Sequence, residues 1–225
     1  MTLDELFNKH QSDKGTLVGV RHSYSSFYEK HLGPIKNDKL LILEIGVCGG
    51  QSLRTWAEYC PNSIIVGLDI DPQPDQHNER ISTYVLDQSD PNQLVNFVNE
   101  CNANGYMFDI ILDDGSHHMY DQQMTLGHLF PILKPGGVYF LEDLHTSLGD
   151  NGHILYRNYL DIQENRKNTT LFYLMESLNS VYCSQEQNDY LNANIDAIEI
   201  HNKFNPYQDP NYKFRSITSA ITKRK

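Results

Sequence analysis

The sequence is poor in basic residues and in cysteine motifs, and both shortages exclude classes of protein. It has 18 Lys and Arg against 29 Asp and Glu, which gives a net charge of −11. A nucleic-acid partner is therefore not expected, because affinity for a phosphate backbone comes from clustered basic side chains. The four cysteines, Cys48, Cys60, Cys101 and Cys183, include no Cys-x-x-Cys pair. This disfavours a structural zinc site and a disulfide framework.

Long apolar runs are also missing. No stretch approaches the ~20 apolar residues that span a bilayer, so no membrane partner is expected. The first residues show neither the basic nor the apolar region of a secretory signal. With its scattered cysteines, the chain is expected to be a reduced, cytoplasmic protein. What it does have is 225 residues with 14 Tyr and 9 Phe, enough for the core of one domain.

Five short apolar runs alternate with helical patterns in the first two thirds of the chain. The runs are residues 39–45, 63–69, 82–86, 108–112 and 137–141. Continuous runs of this length are typical of strands that are buried on both faces of a parallel sheet. Helical spacing lies between them, and Leu126, Leu129, Phe130 and Leu133 predict one such helix over 126–133. The pattern predicts an α/β fold with a doubly wound, mostly parallel sheet.

The C-terminal part of the chain departs from this alternation. Two strand-like segments, 195–200 and 216–222, flank a loop rich in Pro and Asn. They predict an antiparallel β-hairpin at the edge of the sheet, which would complete seven strands. We expect residues 1–36 to form a helical, aromatic N-terminal segment. The main domain would then span 37–225, with a helical insertion at 144–192.

Glycines and an acid follow the first two predicted strands, where ligands of such sheets bind. Glu44 precedes a turn that contains Gly46, Gly49 and Gly50. Asp69 ends the second strand, about twenty residues later. Glycines let the backbone approach a ligand, and an acid at this distance can bind both hydroxyls of a ribose. The combination favours a nucleoside cofactor, either NAD or S-adenosylmethionine.

Two features favour S-adenosylmethionine over NAD. The turn lacks the G-x-G-x-x-G order of dinucleotide-binding proteins. The carboxylate of Glu44 would repel a pyrophosphate, but it would attract the sulfonium and ammonium groups of S-adenosylmethionine. After the third strand, Asp87 is a candidate acceptor for the adenine amine.

Acids and histidines follow the fourth and fifth strands. These segments are Asp113-Asp114-Gly115-Ser116-His117-His118 and Glu142-Asp143-Leu144-His145. If the two strands are neighbours, four carboxylates and up to three imidazoles meet, and the unpaired negative charge repels itself. A bound divalent cation resolves this, and an oxygen-rich set favours Mg²⁺, Ca²⁺ or Mn²⁺ over zinc. Alternatively, Asp113 and Glu142 bind backbone or cofactor, and the remaining residues are solvated.

Six sequence blocks within residues 10–147 resemble, in order, those of the metal-dependent sugar O-methyltransferases of macrolide biosynthesis. The blocks are Glu-Ile-Gly-Val, Gly-Gly-x-Ser-Leu-Arg-x-Trp, Gly-Leu-Asp-Ile, Asp-Gln-Ser-Asp, Asp-Asp-Gly-Ser-His and Glu-Asp-Leu-x-Thr-Ser. Residues 12–16 and 22–29 also resemble the segment that precedes the methyltransferase core in this family. The resemblance implies a Rossmann-like class I methyltransferase fold and S-adenosylmethionine as cofactor. The implied substrate is a small glycosyl molecule that accepts a methyl group on a sugar hydroxyl.

The resemblance also implies which residues hold the cofactor. Glu44 and the turn 46–50 would hold its methionine end. Asp69 would bind the ribose, and Asp87 and Gln88 the adenine. Asp113 is expected to contribute to the same site.

For the chemistry, the resemblance implies a metal and a general base. Asp114, Glu142 and Asp143 would ligate Mg²⁺, or Mn²⁺ in its place, and His117 would take the proton. Chelation of two adjacent hydroxyls by the metal would lower the pKa of the attacking one. His118 directly follows His117, so the choice between the two histidines depends on motif alignment alone.

The acceptor site is less defined by the sequence. Tyr24 and Tyr28 are candidates for an aromatic platform under a sugar ring, although packing between helices is an alternative. His118 and His145 are further candidates for substrate contact.

A catechol-type acceptor, an NAD-dependent dehydrogenase and a non-catalytic binding protein are the competing interpretations. A homo-oligomer is possible but cannot be inferred from the sequence.

Overall fold

Helices and strands alternate through the described parts of the chain, which are residues 1–19, 21–73, 76–148, 168–206 and 213–225 of a computed structural model. The strands are β1 (Leu41–Ile45), β2 (Ile64–Asp69), β3 (Ile81–Val85), β4 (Phe108–Asp113), β5 (Leu133–Leu141), β6 (Ile195–Pro206) and β7 (Lys213–Lys223). The helices are α1 (Leu3–Lys9), α2 (Ser25–Leu32), α3 (Gln51–Tyr59), α4 (Pro91–Asn104), α5 (Met119–Leu129), α6 (Thr170–Phe172) and α7 (Gln185–Asn194). Short 3₁₀ turns at Phe130–Ile132 and Leu144–Ser147 flank β5, and a π-helical turn at Tyr173–Ser177 continues α6.

The strands form one sheet in the order β3-β2-β1-β4-β5-β7-β6. β1 to β5 pair in parallel, whereas β7 pairs antiparallel with both β5 and β6. Among the described strands, β7 alone therefore runs against the others. The predicted doubly wound α/β sheet of seven strands with a C-terminal hairpin is confirmed.

Local signals in the sequence set the helix boundaries. In α1 the hydroxyl of Thr2 accepts from the Glu5 amide, and the Glu5 carboxylate accepts from the Thr2 amide, which is a capping box. Asp90 caps α4 through the amide of Asn92, and Gly105 ends that helix at φ 70°.

The core lies in two layers, one on each face of the sheet. On one face, Trp56 of α3 packs against Phe7 and Tyr28, with ring centroids 5.0 and 5.3 Å apart. Tyr28 also packs against Phe140 of β5 at 4.8 Å. The N-terminal helices therefore form part of the main core instead of an appendage. The opposite face is covered by α4, α5 and α7, whose buried side chains surround Phe108.

The predicted boundaries of the fifth helix were wrong. The apolar spacing indicated a helix over 126–133, whereas α5 spans Met119–Leu129 and β5 already begins at Leu133. The first turns of α5 bury polar side chains, among them Gln122 and Gln123. Their amide nitrogens donate to the carbonyls of Glu142 and Asn168, at 2.9 Å each. A hydrophobic pattern cannot reveal a helix whose buried face is held by hydrogen bonds.

The predicted insertion at 144–192 is only partly visible. Residues 149–167 lie outside the described residues, and the remainder contains a 3₁₀ turn, α6 with its π-helical turn, and most of α7. Within the described parts of the chain, no helix has both the length and the apolar character needed to cross a membrane.

Candidate functional site

The register of the sheet brings the predicted site residues to one edge. Ile45 at the end of β1 pairs with Asp113 of β4, and Asp113 in turn pairs with Leu141 of β5. The loops that follow these three strands therefore start side by side. A cavity of about 1250 Å³ opens at this edge, which is larger than the usual ~300–1,000 Å³ of small-molecule sites.

The predicted site residues fall into two groups around this cavity. Those that line it are Gly46, Asp69, Asp87, Gln88, Asp114, His117, His118, Glu142 and Asp143. Those buried behind its wall are Tyr24, Tyr28, Glu44, Asp113 and His145. Gly49 and Gly50 lead from the turn into α3, and Gly50 is the residue before its first turn, at φ 72°.

The glycine turn is fixed from both sides. The carboxylate of Asp69 accepts hydrogen bonds from the amides of Val47 and Cys48, both at 2.8 Å. Gly46 has φ 86°, and a Cβ atom there would lie 2.1 Å from the carbonyl oxygen of Asp114. Only glycine fits, because the backbone turn is left-handed and lies directly against the loop that carries the acids.

A buried network lies behind the proposed adenine side of the cavity. The amide group of Gln88 donates to Asp113 at 2.7 Å and accepts from the backbone of Ser116 at 2.8 Å. The hydroxyl of Tyr139 donates to the other Asp113 oxygen at 3.0 Å. Burial raises the pKa of the Asp113 carboxyl to about 7, although these hydrogen bonds oppose the shift. Asp113 thus supports the wall through Gln88, and its predicted contact with a cofactor stays a prediction.

A lysine that the sequence did not single out lies among the acids. The ammonium of Lys14 is 3.0 and 3.1 Å from the two Glu142 oxygens and contacts the Asp114 carboxylate. It also lies 4.0 Å from Glu44. Burial alone would lower the pKa of Lys14, but the surrounding carboxylates raise it well above its ordinary value. Lys14 is therefore protonated at neutral pH.

Asp143 is surrounded by histidines instead. Its carboxylate oxygens lie 3.5 Å from Nε2 of His117, 3.7 Å from Nδ1 of His145 and 3.8 Å from Nδ1 of His22. Burial alone would raise the pKa of the Asp143 carboxyl, but the three imidazoles and Lys14 hold it well below its usual range. Asp143 is therefore the most firmly ionised acid of the group.

The two candidate platform tyrosines contact acids instead of the open cavity. Both rings are fully buried. The hydroxyl of Tyr28 donates to Glu142, and that of Tyr24 donates to Asp143 at 3.3 Å. The structure thus places them as supports of the two acids, which is closer to the packing alternative than to a platform beneath a sugar.

Glu44 is the acid within β1, next to the glycine turn. Its side chain is fully buried, and one oxygen accepts from the indole nitrogen of Trp56 at 3.1 Å. Burial raises the pKa of the Glu44 carboxyl to about 7, although Lys14 nearby acts to lower it. Its ionisation is therefore poised near neutral pH.

Three side chains form a candidate cation site. One donor atom from each of Asp114, His117 and Asp143 lies within 4.8 Å of the other two. His117 and Asp143 both have left-handed backbones, at φ 61° and 53°, a strained geometry that clusters at functional sites. The two carboxylates are ligands that Mg²⁺ and Mn²⁺ prefer, so the oxygen donors fit the expected metal, whereas an imidazole is more usual at zinc and other transition metals. Glu142, the third acid expected to bind the metal, is not in this group, although it and Asp114 both contact Lys14.

Sequence reasoning missed Lys14 and His22 as members of the site. Both lie within the two N-terminal blocks that resemble the family segment, residues 12–16 and 22–29. The resemblance of those blocks to the family segment was the one signal in the sequence that could have pointed to these two residues. Nothing in their local spacing indicates that they reach the sheet edge a hundred residues away.

The geometry agrees with what comparison with known proteins finds. Residues 43–139 match a family model described as a methyltransferase domain. The solved structure of the MycE methyltransferase from the mycinamycin biosynthetic pathway, in complex with Mg, SAH and mycinamycin VI, aligns over the whole chain. Its TM-score is 0.75 at 26% identity. Residues 43–139 are therefore similar to a methyltransferase domain, and the chain has the class I methyltransferase fold.

Curated relatives define the resemblance further. The chain is 36% identical to 8-demethyl-8-alpha-L-rhamnosyl tetracenomycin-C 2'-O-methyltransferase of Streptomyces olivaceus over 62% of its length. It is also 36% identical to demethylmacrocin O-methyltransferase of Streptomyces fradiae over 64%. The matched parts are only 36% and 37% of those two proteins, and the chain covers 55% of MycE. The resemblance to O-methyltransferases of macrolide biosynthesis is thus confirmed, and the chain is similar to a part of each relative.

Contact between the glycine turn and the acid loop can be tested with two matched glycine variants. Gly46→Ala should lower the free energy of unfolding by about 3 kcal/mol or more, because left-handed strain adds to a backbone clash. Gly105→Ala is the control, since Gly105 has φ 70° with no atom within 4 Å of the added Cβ. It should cost only about 1–2 kcal/mol. Urea unfolding measures both, and equal losses would contradict the close contact.

Proposed function

We propose that this protein is an S-adenosylmethionine- and Mg²⁺-dependent O-methyltransferase that acts on a sugar hydroxyl. The observation that carries the proposal is the cavity itself. Its wall combines the glycine turn and Asp69 on one side with Asp114, His117 and Asp143 on the other. A nucleoside cofactor and a metal-bound acceptor would therefore meet within one cavity.

The cofactor would lie along the first three strand ends. Glu44 supplies a negative charge for the ammonium of its methionine part, and the turn 46–50 allows close approach of the backbone. Asp69 stands where the ribose is expected, and Asp87 with Gln88 where the adenine is expected. The complex of MycE with Mg and SAH supports the choice of cofactor.

The acid cluster would hold the metal and take up the proton. Asp114, Glu142 and Asp143 are its candidate ligands; Asp114 and Asp143 already approach each other, and Glu142 lies beside Asp114 at Lys14. Mg²⁺ bound there would lower the pKa of a sugar hydroxyl and fix its orientation. Nε2 of His117 faces Asp143, so Nδ1 is the nitrogen that would accept the proton. The negative charge of Asp143 would stabilise the resulting imidazolium.

The proposed acceptor class follows the relatives. Demethylmacrocin and a rhamnosyl tetracenomycin are named as substrates of two of them, and mycinamycin VI is bound in the MycE structure. We infer a small glycosyl acceptor with two adjacent hydroxyls for this chain as well. His118 also lines the cavity and is a candidate for contact with this acceptor. The cytoplasm is the compartment we propose, from the sequence argument alone.

Transfer of a labelled methyl group tests the proposal directly. The metal-stripped protein is incubated with methyl-labelled S-adenosylmethionine and a panel of glycosides, free sugars and catechols. We expect label in a glycoside only when Mg²⁺ is added, and loss of activity with excess chelator. Methylation of catechols but not of sugars would show that the acceptor is a catechol instead of a sugar hydroxyl. A thermal shift with NADH but not with S-adenosylhomocysteine would overturn the methyltransferase assignment.

Replacement of His117 should separate catalysis from binding. His117→Ala, and His117→Asn because Asn tolerates a left-handed backbone, should lower turnover by about 10²–10⁴-fold. The affinity for S-adenosylhomocysteine should be nearly unchanged. His118→Ala is the matched control and should keep most of the activity. If His118→Ala is inactive and His117→Asn is active, the two roles are exchanged.

Glu44 predicts a pH dependence of cofactor binding. With a pKa of about 7, its carboxyl is mostly neutral at pH 6 and mostly ionised at pH 8. The affinity for S-adenosylhomocysteine should therefore rise with pH, by up to about tenfold over this range. Isothermal titration of Glu44→Gln should show a much smaller change, and the exposed-site control Glu58→Gln should behave as the wild type. If Glu44→Gln keeps the pH response of the wild type, the pH dependence of binding comes from another group, such as Asp113.

A further inference from the structure

Lys14 is the least expected residue of the site. Its side chain is 2% exposed, and it reaches the acids from a loop that precedes the first strand by almost thirty residues. Burial of a lysine costs free energy unless its charge is compensated. The compensation here is unusually large, since three carboxylates surround one ammonium.

The backbone around Lys14 fixes where its ammonium lies. The carbonyl of Lys14 accepts from the amide of Tyr24 at 2.9 Å, next to the start of α2. The Tyr24 ring is buried, and its hydroxyl contacts Asp143. The lysine loop and the acid loops are therefore tied together, and the ammonium occupies a defined point of the structure.

Two of the three contacted acids are those that the proposed function gives to the metal. The ammonium contacts Asp114 and both oxygens of Glu142, and the hydroxyl of Tyr28 also donates to Glu142. Oxygens that accept hydrogen bonds from Lys14 offer less electron density to a divalent ion. The positive charge also repels a second cation at short range.

We propose that Lys14 is a positioning residue of the acid cluster, an internal cation that holds Asp114 and Glu142 together and competes with the divalent metal for them. It stabilises the metal-free protein and lowers the affinity for Mg²⁺. Asp143, in the other half of the cluster, lines the cavity and is bordered by imidazoles. The inference depends on the metal site of the proposed function.

Lys14→Met tests the competition by removing the charge and keeping most of the side-chain volume. The metal-free variant should melt about 5–15 °C below the wild type, because buried carboxylates lose their counter-charge. Mg²⁺ should bind it about tenfold or more tightly in isothermal titration, since the opposing charge is gone. Lys9→Met is the matched control, because Lys9 is an N-terminal lysine that forms an exposed pair with Glu58. Both of its readouts should match the wild type.

A double-mutant cycle isolates the Lys14–Glu142 pair without metal. Glu142→Gln removes one buried negative charge, so Lys14→Met should lower the melting temperature less in that background than in the wild type. If Lys14→Met alone does not fold, recovery of folding in the double variant supports the pair. Failure to recover overturns it.

The metal titrations separate this inference from the proposed function. A wild type that binds neither Mg²⁺ nor Mn²⁺ overturns the metal site and the competition together. A wild type that binds Mg²⁺ while Lys14→Met binds it equally or more weakly overturns the competition alone. Tighter binding by Lys14→Met, together with a lower metal-free melting temperature, supports the inference.

Discussion

Repulsion among buried carboxylates is the constraint on which the arrangement of this site depends. Glu142 and Asp143 are buried with Glu44, and Asp114 beside them is partly exposed; all four lie near the ends of three neighbouring strands, where water screens them less than at the surface. One ammonium lies against Glu44, Asp114 and Glu142, and three imidazoles surround the carboxylate of Asp143. Tyrosine hydroxyls donate to the same acids.

The N-terminal segment supplies most of these balancing groups. Lys14, His22, Tyr24 and Tyr28 all come from the first 28 residues. Helix α2, which carries Tyr28 and follows Tyr24 directly, packs on Trp56 and Phe140. The segment is thus at once a layer of the core and a wall of the cavity. Loss of its packing would expose uncompensated acids, so the stability of this face and the integrity of the site are linked.

The sequence alone was sufficient for the sheet, its C-terminal hairpin and the convergence of acids at one edge. Strand patterns and the residues directly after each strand are local signals, and topology rules convert them into proximity. Lys14 could not be placed this way, because its contacts lie about a hundred residues away and its surroundings are polar. The start of α5 was missed for a related reason, since Gln122 and Gln123 are buried through hydrogen bonds instead of apolar contacts.

The absence of a side chain at Gly46 limits how the sequence of such a protein can change in evolution. The turn after β1 and the loop after β4 touch where a side chain would otherwise stand. Neither loop can lengthen, shift or gain bulk there without displacing its neighbour. Changes of cofactor geometry and of acid geometry are therefore expected to be inherited as pairs.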